Sequence, residues 1–133
     1  MFDFEEALRL VAKQTVLCVG DGEQKRDFIY VDDAVTVVRW LLETASVSGI
    51  FNVGTGKARS FRDLMSAMFA ALGQAPKIEY VDMPDTIRGS YQYFTQAEMD
   101  KVRRAGFTAN FLTLEEGVKR YVQGYLDRAD RFR

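Results

Sequence analysis

A short apolar run at residues 50–53 ends in a Gly-Thr-Gly turn at 54–56, and this arrangement constrains the fold more than any other part of the sequence. Such a run is typical of a buried strand that enters a tight turn. On one side, 35–42 repeats apolar residues at the spacing of a helical face. On the other, Ser60 is followed three positions later by Asp63, as in a capping box. A strand between two helices is half of an α/β unit, so the sequence predicts an α/β fold.

Local patterns predict further elements along the chain. In chain order these are a helix at 2–12, strands at 15–19 and 28–31, a helix capped by Asp32 or Asp33, and a strand at 77–81. Two more capping boxes, Thr95 with Glu98 and Thr113 with Glu116, predict helix starts nearer the end. No repeat or proline-rich linker divides the sequence, so residues 1–133 are expected to form one domain.

Composition argues against several classes of function. The chain has 18 basic and 19 acidic residues, so it lacks the positive excess that binds a nucleic-acid backbone. No apolar stretch approaches the roughly 20 residues of a membrane helix, and the acidic amino-terminal segment does not fit a signal peptide, so a cytoplasmic protein is expected. Histidine is absent, which excludes a Ser-His-Asp triad and argues against a zinc site. The single cysteine, Cys18, is expected to be a buried apolar side chain.

The Gly-Thr-Gly turn at 54–56 invites comparison with the dinucleotide-binding fingerprint. That fingerprint needs a third glycine three positions after the second, where this chain has Arg59. The turn is therefore expected to be a structural link, and neither a cofactor-binding nor a metal-binding residue is predicted.

Arg26 and Tyr91 are candidate ligand-binding residues on chemical grounds. Arg26 ends a polar, glycine-containing loop at 20–26, and a guanidinium can grip two phosphate oxygens at once. It could equally pair with Asp27 or Asp32 at the surface. Tyr91 could offer a hydroxyl and a ring to a ligand, or be a half-buried core residue. The residues alone leave these alternatives open.

Several segments together resemble one family. The segments Gly-Asp-Gly-Glu-Gln-Lys-Arg-Asp-Phe-Ile-Tyr-Val-Asp-Asp at 20–33 and Gly-Ile-Phe-Asn-Val-Gly-Thr-Gly at 49–56 are similar to the carboxy-terminal half of extended short-chain dehydrogenase/reductase enzymes that act on nucleotide sugars. The segment Gly-Ser-Tyr-Gln-Tyr-Phe-Thr-Gln-Ala at 89–97 narrows the resemblance to the ADP-L-glycero-D-manno-heptose 6-epimerase family. The resemblance covers nearly the whole chain from Val16 onward.

The resemblance implies the carboxy-terminal, substrate-binding part of an extended Rossmann-type epimerase, with the main dinucleotide-binding domain missing. In that family NADP removes and returns hydride while a Tyr/Lys pair moves the proton. Neither the family's glycine-rich loop nor its Tyr-x-x-x-Lys is found here, since Tyr91, Tyr121 and Tyr125 are not followed by lysine four positions on. The chain is therefore expected to hold no catalytic residue and not to retain NADP by itself.

Substrate-side positions carry over from the family. Gly20 and Asp21 match the family's loop beside the nucleotide. Arg26 matches the arginine expected to contact the ADP phosphates, and Tyr91 matches the tyrosine that contacts the substrate. The chain departs from the family pattern at 18–19.

The resemblance also implies partners for the chain. These are ADP-heptose, the missing Rossmann domain and further copies in a homo-oligomer, and the implied process is lipopolysaccharide core synthesis. Another nucleotide-sugar epimerase or dehydratase, and a non-catalytic binding or assembly module, are the alternatives.

A missing dinucleotide domain also has a consequence for the surface. If 50–53 normally pairs with a neighbouring strand, and the apolar faces of 35–42 and 64–72 normally cover that sheet, these groups are left in water. The isolated chain is then expected to self-associate.

Overall fold

The computed structural model describes residues 16–83, 85–88 and 91–126. These residues form, in chain order, strands β1 (Val16–Val19) and β2 (Lys25–Arg26), helix α1 (Val31–Glu43), strand β3 (Arg59–Ser60), helix α2 (Phe61–Ala71), strand β4 (Ile78–Val81), the short helices α3 (Asp85–Arg88) and α4 (Asp100–Arg104), helix α5 (Leu114–Tyr121) and a π-helical turn (Val122–Leu126). The predicted α/β class is confirmed. The helix expected at 2–12 lies outside the described residues.

Two small strand pairs form the sheets in this part of the chain. β1 is parallel to β4, with Val16 opposite Ile78 and Val19 opposite Val81. β2 is antiparallel to β3, and its other edge lies against the segment that contains Phe94. The strands predicted at 15–19 and 77–81 are thus confirmed over the residues that the structure describes.

Of the other two predicted strands, the one at 28–31 is wrong, and the one at 50–53, which was expected to join the sheet of a missing domain, is not formed among the described residues. Residues 28–30 form no strand and α1 already begins at Val31, while Phe28 packs against the larger of the two core clusters. Residues 50–53 form neither a helix nor a strand, and none of the described strands pairs with them. A strand is maintained by hydrogen bonds to a neighbour, so a suitable sequence without a neighbour remains irregular.

Two of the predicted capping boxes form as expected. The Ser60 hydroxyl accepts a hydrogen bond from the Asp63 amide at 3.0 Å, and the Asp63 carboxylate accepts one from the Ser60 amide at 3.2 Å, which starts α2. The Thr113 and Glu116 side chains make the same reciprocal pair at the start of α5. These local signals satisfy amides that the helix itself leaves without partners.

Two predicted caps are wrong. The residue before α1 is Tyr30, while Asp32 and Asp33 lie in the first turn, and the Asp33 carboxylate instead accepts a hydrogen bond from the Leu112 amide at 2.9 Å. Thr95 starts no helix because its amide donates to the Lys25 carbonyl at 3.1 Å and holds the segment beside β2. The next helix, α4, begins five residues later. For Asp33 a tertiary contact takes the carboxylate that would cap the helix, and for Thr95 a backbone contact with a distant segment holds the residue outside a helix.

The core consists of two apolar clusters. The larger lies between α2 and α5 and contains Leu64, Met65, Ala67, Met68, Phe69, Leu114, Val118 and Val122. The smaller contains Val37, Met99, Val102 and Phe107, with Trp40 packed against it. The apolar face of 64–72 is therefore covered by the chain itself, and the expectation that it would be left in water is wrong. Cys18 is buried as predicted.

Helix α1 differs from α2 because it is apolar on two sides. Val37 faces the smaller core cluster, whereas Val31, Val35, Val38 and Leu42 are 59%, 57%, 55% and 81% exposed. Within the described residues no helix is long and apolar enough to cross a bilayer.

Candidate functional site

The Asp27 carboxylate connects three separate segments next to Arg26. It accepts hydrogen bonds from the amides of Thr55 at 2.7 Å, Gly56 at 2.9 Å and Ala97 at 3.0 Å, and a further one from the Thr55 hydroxyl. Burial raises the pKa of Asp27, but these hydrogen bonds outweigh that effect and bring the pKa below its usual value. This cluster, the Asp27 clasp, fixes the strand that carries Arg26 against the 54–56 turn and the 95–97 segment.

The clasp also explains the glycine-rich turn at 54–56. A Cβ added to Gly54 would lie 2.4 Å from the Asp27 Oδ2 atom and 2.6 Å from the Ala97 Cβ atom. Glycine is thus required because a carboxylate and a neighbouring segment approach the backbone closely. Two amides of this turn bind a carboxylate of the chain itself, so the geometry does not fit a phosphate-binding loop for a dinucleotide.

Gly20, Asp21 and Tyr91 line a single open cavity of about 520 Å³ at the end of the β1–β4 pair. The Gly20 amide donates to the Val81 carbonyl at 2.7 Å and extends the parallel pairing by one residue. Gly20 then turns the chain with a φ of 72°. The structure therefore brings together three of the four residues proposed from the resemblance.

Arg26, the fourth, lies against the ring of Tyr91. Its guanidinium carbon is 5.4 Å from the centroid of the Tyr91 ring and 5.9 Å from that of Phe61. The guanidinium donates to the carbonyls of Lys25, at 2.7 Å, and Gln92. The ion pairs found among the described residues do not include Arg26. Arg26 is thus held in place by two aromatic rings and two carbonyl groups, and the surface pairing with Asp27 or Asp32 that the sequence left open is not observed.

Tyr93 is a cavity residue that sequence reasoning missed. Its hydroxyl donates to the Asp21 Oδ2 atom at 2.6 Å, and the Glu23 amide donates to Oδ1 at 2.9 Å. The hydrogen bond to Asp21 raises the pKa of Tyr93 to about 12, and the same bond is the main cause that lowers the pKa of Asp21. The only available signal was the position of Tyr93 in the motif that also contains Tyr91.

The remaining cavity residues, which sequence reasoning also missed, are Gln24, Asp82 and Met83. Asp21 and Asp82 supply acceptors and the tyrosines supply rings, while Arg26 supplies positive charge beside Tyr91. Such a set can hold a ligand that combines hydroxyl groups, a flat ring and phosphate. In the described part of the chain, no cluster of three or more histidine, cysteine or carboxylate side chains could hold a metal ion.

Comparison with known proteins identifies the relatives of this chain. The sequence model of the NAD dependent epimerase/dehydratase family matches residues 5–54. The ADP-L-glycero-D-manno-heptose-6-epimerase of Nitratidesulfovibrio vulgaris strain DP4 is 56% identical over 113 residues, which make up 85% of this chain and 35% of that protein. The chain is a relative of the ADP-heptose 6-epimerases. The enzyme of the same name from Fusobacterium nucleatum is 48% identical over 118 residues, or 84% of this chain and 36% of that protein.

Solved structures agree with this relationship. The Helicobacter pylori ADP-L-glycero-D-manno-heptose-6-epimerase matches with a TM-score of 0.73 and 30% identity, covering 89% of this chain and 35% of that one. A UDP-N-acetylglucosamine 4-epimerase from Methanobrevibacter ruminantium has a TM-score of 0.75 at 22% identity, over 93% of this chain and 38% of that one, and supports the fold alone. This ADP-heptose 6-epimerase relative spans about a third of the length of the curated proteins it matches.

Proposed function

We propose that this chain supplies the nucleotide-sugar site of an NADP-dependent epimerase that interconverts ADP-D-glycero-D-manno-heptose and ADP-L-glycero-D-manno-heptose. Residues 1–133 would act as one substrate-binding unit of a cytoplasmic enzyme in lipopolysaccharide core synthesis. The observation that carries the proposal is the convergence of Gly20, Asp21 and Tyr91 on one cavity, with Arg26 against Tyr91. The identity to ADP-heptose 6-epimerases supports the choice of substrate.

The position of Arg26 supports a role in binding phosphate. A guanidinium has five N–H groups in a planar fork, and two carbonyl groups and two rings already orient this one. A group oriented before the ligand arrives loses less conformational entropy on binding. Arg26 is therefore suited to the diphosphate, and Tyr91 to the neighbouring nucleoside or sugar.

NADP chemistry would require residues other than those described here. The amides of the 54–56 turn bind Asp27, and this turn is the chain's best sequence match to a dinucleotide loop. We therefore assign to this chain the binding and orientation of the nucleotide sugar, and no step of hydride or proton transfer.

Ligand-observed NMR on the purified chain tests the proposal with ADP, ADP-heptose, UDP and dTDP as probes. We expect saturable binding of the two adenine nucleotides and weaker binding of the pyrimidine nucleotides. Arg26→Ala should weaken ADP binding by about ten- to a hundredfold, the equivalent of about 1.5–3 kcal/mol for a charge-assisted contact. Arg26→Lys should recover only part of the affinity because lysine lacks the fork.

Arg39→Ala is the matched control, since it removes the same charge from an exposed position on α1. It should leave ADP binding unchanged, and Tyr91→Phe should have a smaller effect than Arg26→Ala. Equal affinity for adenine and pyrimidine nucleotides would point to another nucleotide-sugar enzyme. Absence of nucleotide binding would contradict the assignment of Arg26 and favour a non-catalytic module.

A further inference from the structure

The charges around the cavity at the end of the β1–β4 pair are segregated. The described residues that line it include two carboxylates, Asp21 and Asp82, and no lysine or arginine is among them. Asp82 directly follows β4 and Asp21 lies two positions after β1, so two parallel strands bring both carboxylates to the same edge. The positive charge of Arg26 lies against the ring of Tyr91, 5.4 Å from its centroid. The cavity therefore has an acidic wall, formed by Asp21 and Asp82, and a positive charge beside Tyr91.

Neither carboxylate of the acidic wall is neutralised by an ion pair within the described residues. The Asp21 Oδ1 atom accepts a hydrogen bond from the Glu23 amide at 2.9 Å, and Oδ2 accepts one from the Tyr93 hydroxyl at 2.6 Å. The nearby Arg62, whose amide donates to the 20–22 loop at 3.0 Å, uses its guanidinium to pair with the Glu23 carboxylate at 2.7 Å. Asp82 makes neither a hydrogen bond nor an ion pair with another described side chain. Since a carboxylate offers about four acceptor sites, both Asp21 and Asp82 can accept hydrogen bonds from a ligand.

The rings of Tyr91 and Tyr93 indicate which part of a nucleotide sugar meets the acidic wall. Both tyrosines line the same cavity as the two carboxylates, and a flat base can stack on an aromatic ring. The ribose joins the base to the diphosphate, so a base at the tyrosines brings the ribose to the wall and the phosphates towards Arg26. Ionised carboxylates accept hydrogen bonds from hydroxyl groups but repel phosphate. In dinucleotide sites an acidic residue binds the ribose 2′-hydroxyl in the same way, whereas a 2′-phosphate is accommodated by an arginine.

We propose that the acidic wall binds the ribose hydroxyls of the nucleotide sugar and excludes a nucleotide that carries a 2′-phosphate. This selection rests on the proposed function, and it makes Asp82 a specificity-determining residue of the same site. In an NADP-dependent enzyme the selection separates two ligands, because ADP-heptose and NADP both contain an ADP group. Only the ADP group of NADP carries a 2′-phosphate, so the wall admits the ADP of the substrate and rejects that of the cofactor.

Titrations of the purified chain with ADP and with ADP 2′-phosphate, the adenine half of NADP, test the acidic wall. The parent chain should bind ADP about tenfold more tightly than ADP 2′-phosphate. Asp82→Ala should weaken ADP binding about three- to tenfold, because a hydrogen-bond acceptor is lost. The same change should tighten ADP 2′-phosphate binding about two- to fivefold, because a like charge is removed. Asp82→Asn keeps an acceptor without the charge, so it should also tighten ADP 2′-phosphate binding but weaken ADP binding less than Asp82→Ala.

Opposite changes for the two nucleotides separate binding by the wall from a structural role of Asp82, because a damaged fold would weaken both. Asp82 is exposed, so both variants should fold, and Glu79→Ala is the matched control. It removes an exposed carboxylate of β4 outside the cavity and should change neither affinity.

Three results would overturn the inference, and they affect the proposed function differently. A parent chain that binds both nucleotides equally, or equal weakening of both in Asp82→Ala, would exclude the wall and leave the proposed function standing. If Asp82→Ala weakened ADP-heptose binding but left ADP binding unchanged, Asp82 would contact the sugar, and its assignment to the ribose would be wrong. A parent chain that binds no ADP would overturn both the wall and the proposed function.

Discussion

Asp27→Asn is the substitution that tests most directly how the candidate site is held together. The change keeps the size of the side chain but replaces one acceptor oxygen with an NH₂ group. At least one of the amides of Thr55, Gly56 and Ala97 would then face a donor instead of an acceptor. We expect the Asp27 clasp to open and the strand that carries Arg26 to loosen from the 54–56 turn.

The hydrogen bonds of the clasp set the expected magnitude. A hydrogen bond to a charged group contributes about 1.5–3 kcal/mol, and a buried amide without a partner costs about 1–3 kcal/mol. Because the clasp is only partly buried, water would replace some of the lost bonds, and the low end of these ranges applies. Asp27→Ala should therefore lower the free energy of unfolding by about 2–4 kcal/mol, and Asp27→Asn by a similar amount or somewhat less.

Urea unfolding followed by circular dichroism measures this free energy, with Glu79→Ala as a control for the loss of an exposed carboxylate. The pH dependence supplies a second readout. The pKa of Asp27 is lower in the folded chain, so its stabilising effect is present above the unfolded value of about 3.9 and is lost as the pH falls through the folded value. As the pH is lowered from about 5 to about 3, the free energy of unfolding should fall less for Asp27→Asn than for the parent chain. Equal stability of parent and Asp27→Asn at pH 7 would refute the clasp as a structural element.

Three further predictions follow from the caps, the turn and the cofactor. Thr113→Ala should lower the free energy of unfolding by about 1 kcal/mol in a urea titration, because it removes the cap of α5. Gly54→Ala should lower the melting temperature far more than Gly124→Ala. The new methyl group at Gly54 would collide with the Asp27 carboxylate, whereas a methyl group at Gly124 would have no described atom within 4 Å beyond its own helical turn and chain neighbours. The purified chain should neither retain NADP through gel filtration nor interconvert the heptose epimers; bound NADP or turnover would contradict this.

The parts of the fold that sequence predicted well are those that depend on neighbours in the chain. The boxes at Ser60 and Thr113 work because a hydroxyl and an acidic side chain three residues apart can satisfy each other's amides without outside help. The apolar spacing at 64–72 likewise predicted an apolar helix face, although not what covers it, since Met65, Met68 and Phe69 lie in the chain's own core.

The parts that sequence predicted poorly depend on distant partners. Thr95 has the residue three positions later that a capping box needs, yet a hydrogen bond to Lys25, 70 positions away, decides its conformation. Residues 50–53 have strand composition, but strand formation depends on a neighbour that composition does not specify. A local sequence pattern does not show whether such a distant contact forms, because the partner residue lies far away in the sequence.

The candidate site was also predicted in part, and the features that were missed depend on contacts between distant residues. Resemblance brought out Gly20, Asp21, Arg26 and Tyr91, and the structure places them together, but their roles remain proposals. Tyr93 was missed because its importance comes from a hydrogen bond across 72 positions. The role of the 54–56 turn in receiving a carboxylate could not be read from its glycines alone.

Cys18 gives the chain a chemical reporter of its own. It is the single cysteine, lies opposite Tyr80 in the β1–β4 pair and is 4% exposed. Burial and, to a smaller extent, the charge of Asp21 raise the pKa of its thiol, so an alkylating reagent meets little accessible thiolate in the closed state. Because no second thiol competes, the alkylation rate of the native chain reports how often the thiol becomes accessible through local opening, and the 20–22 loop lies directly against it, since a Cβ at Gly22 would be 3.3 Å from the Cys18 Sγ atom. A ligand that fills the adjoining cavity would slow this reaction, and its binding could be followed by mass spectrometry without an introduced label.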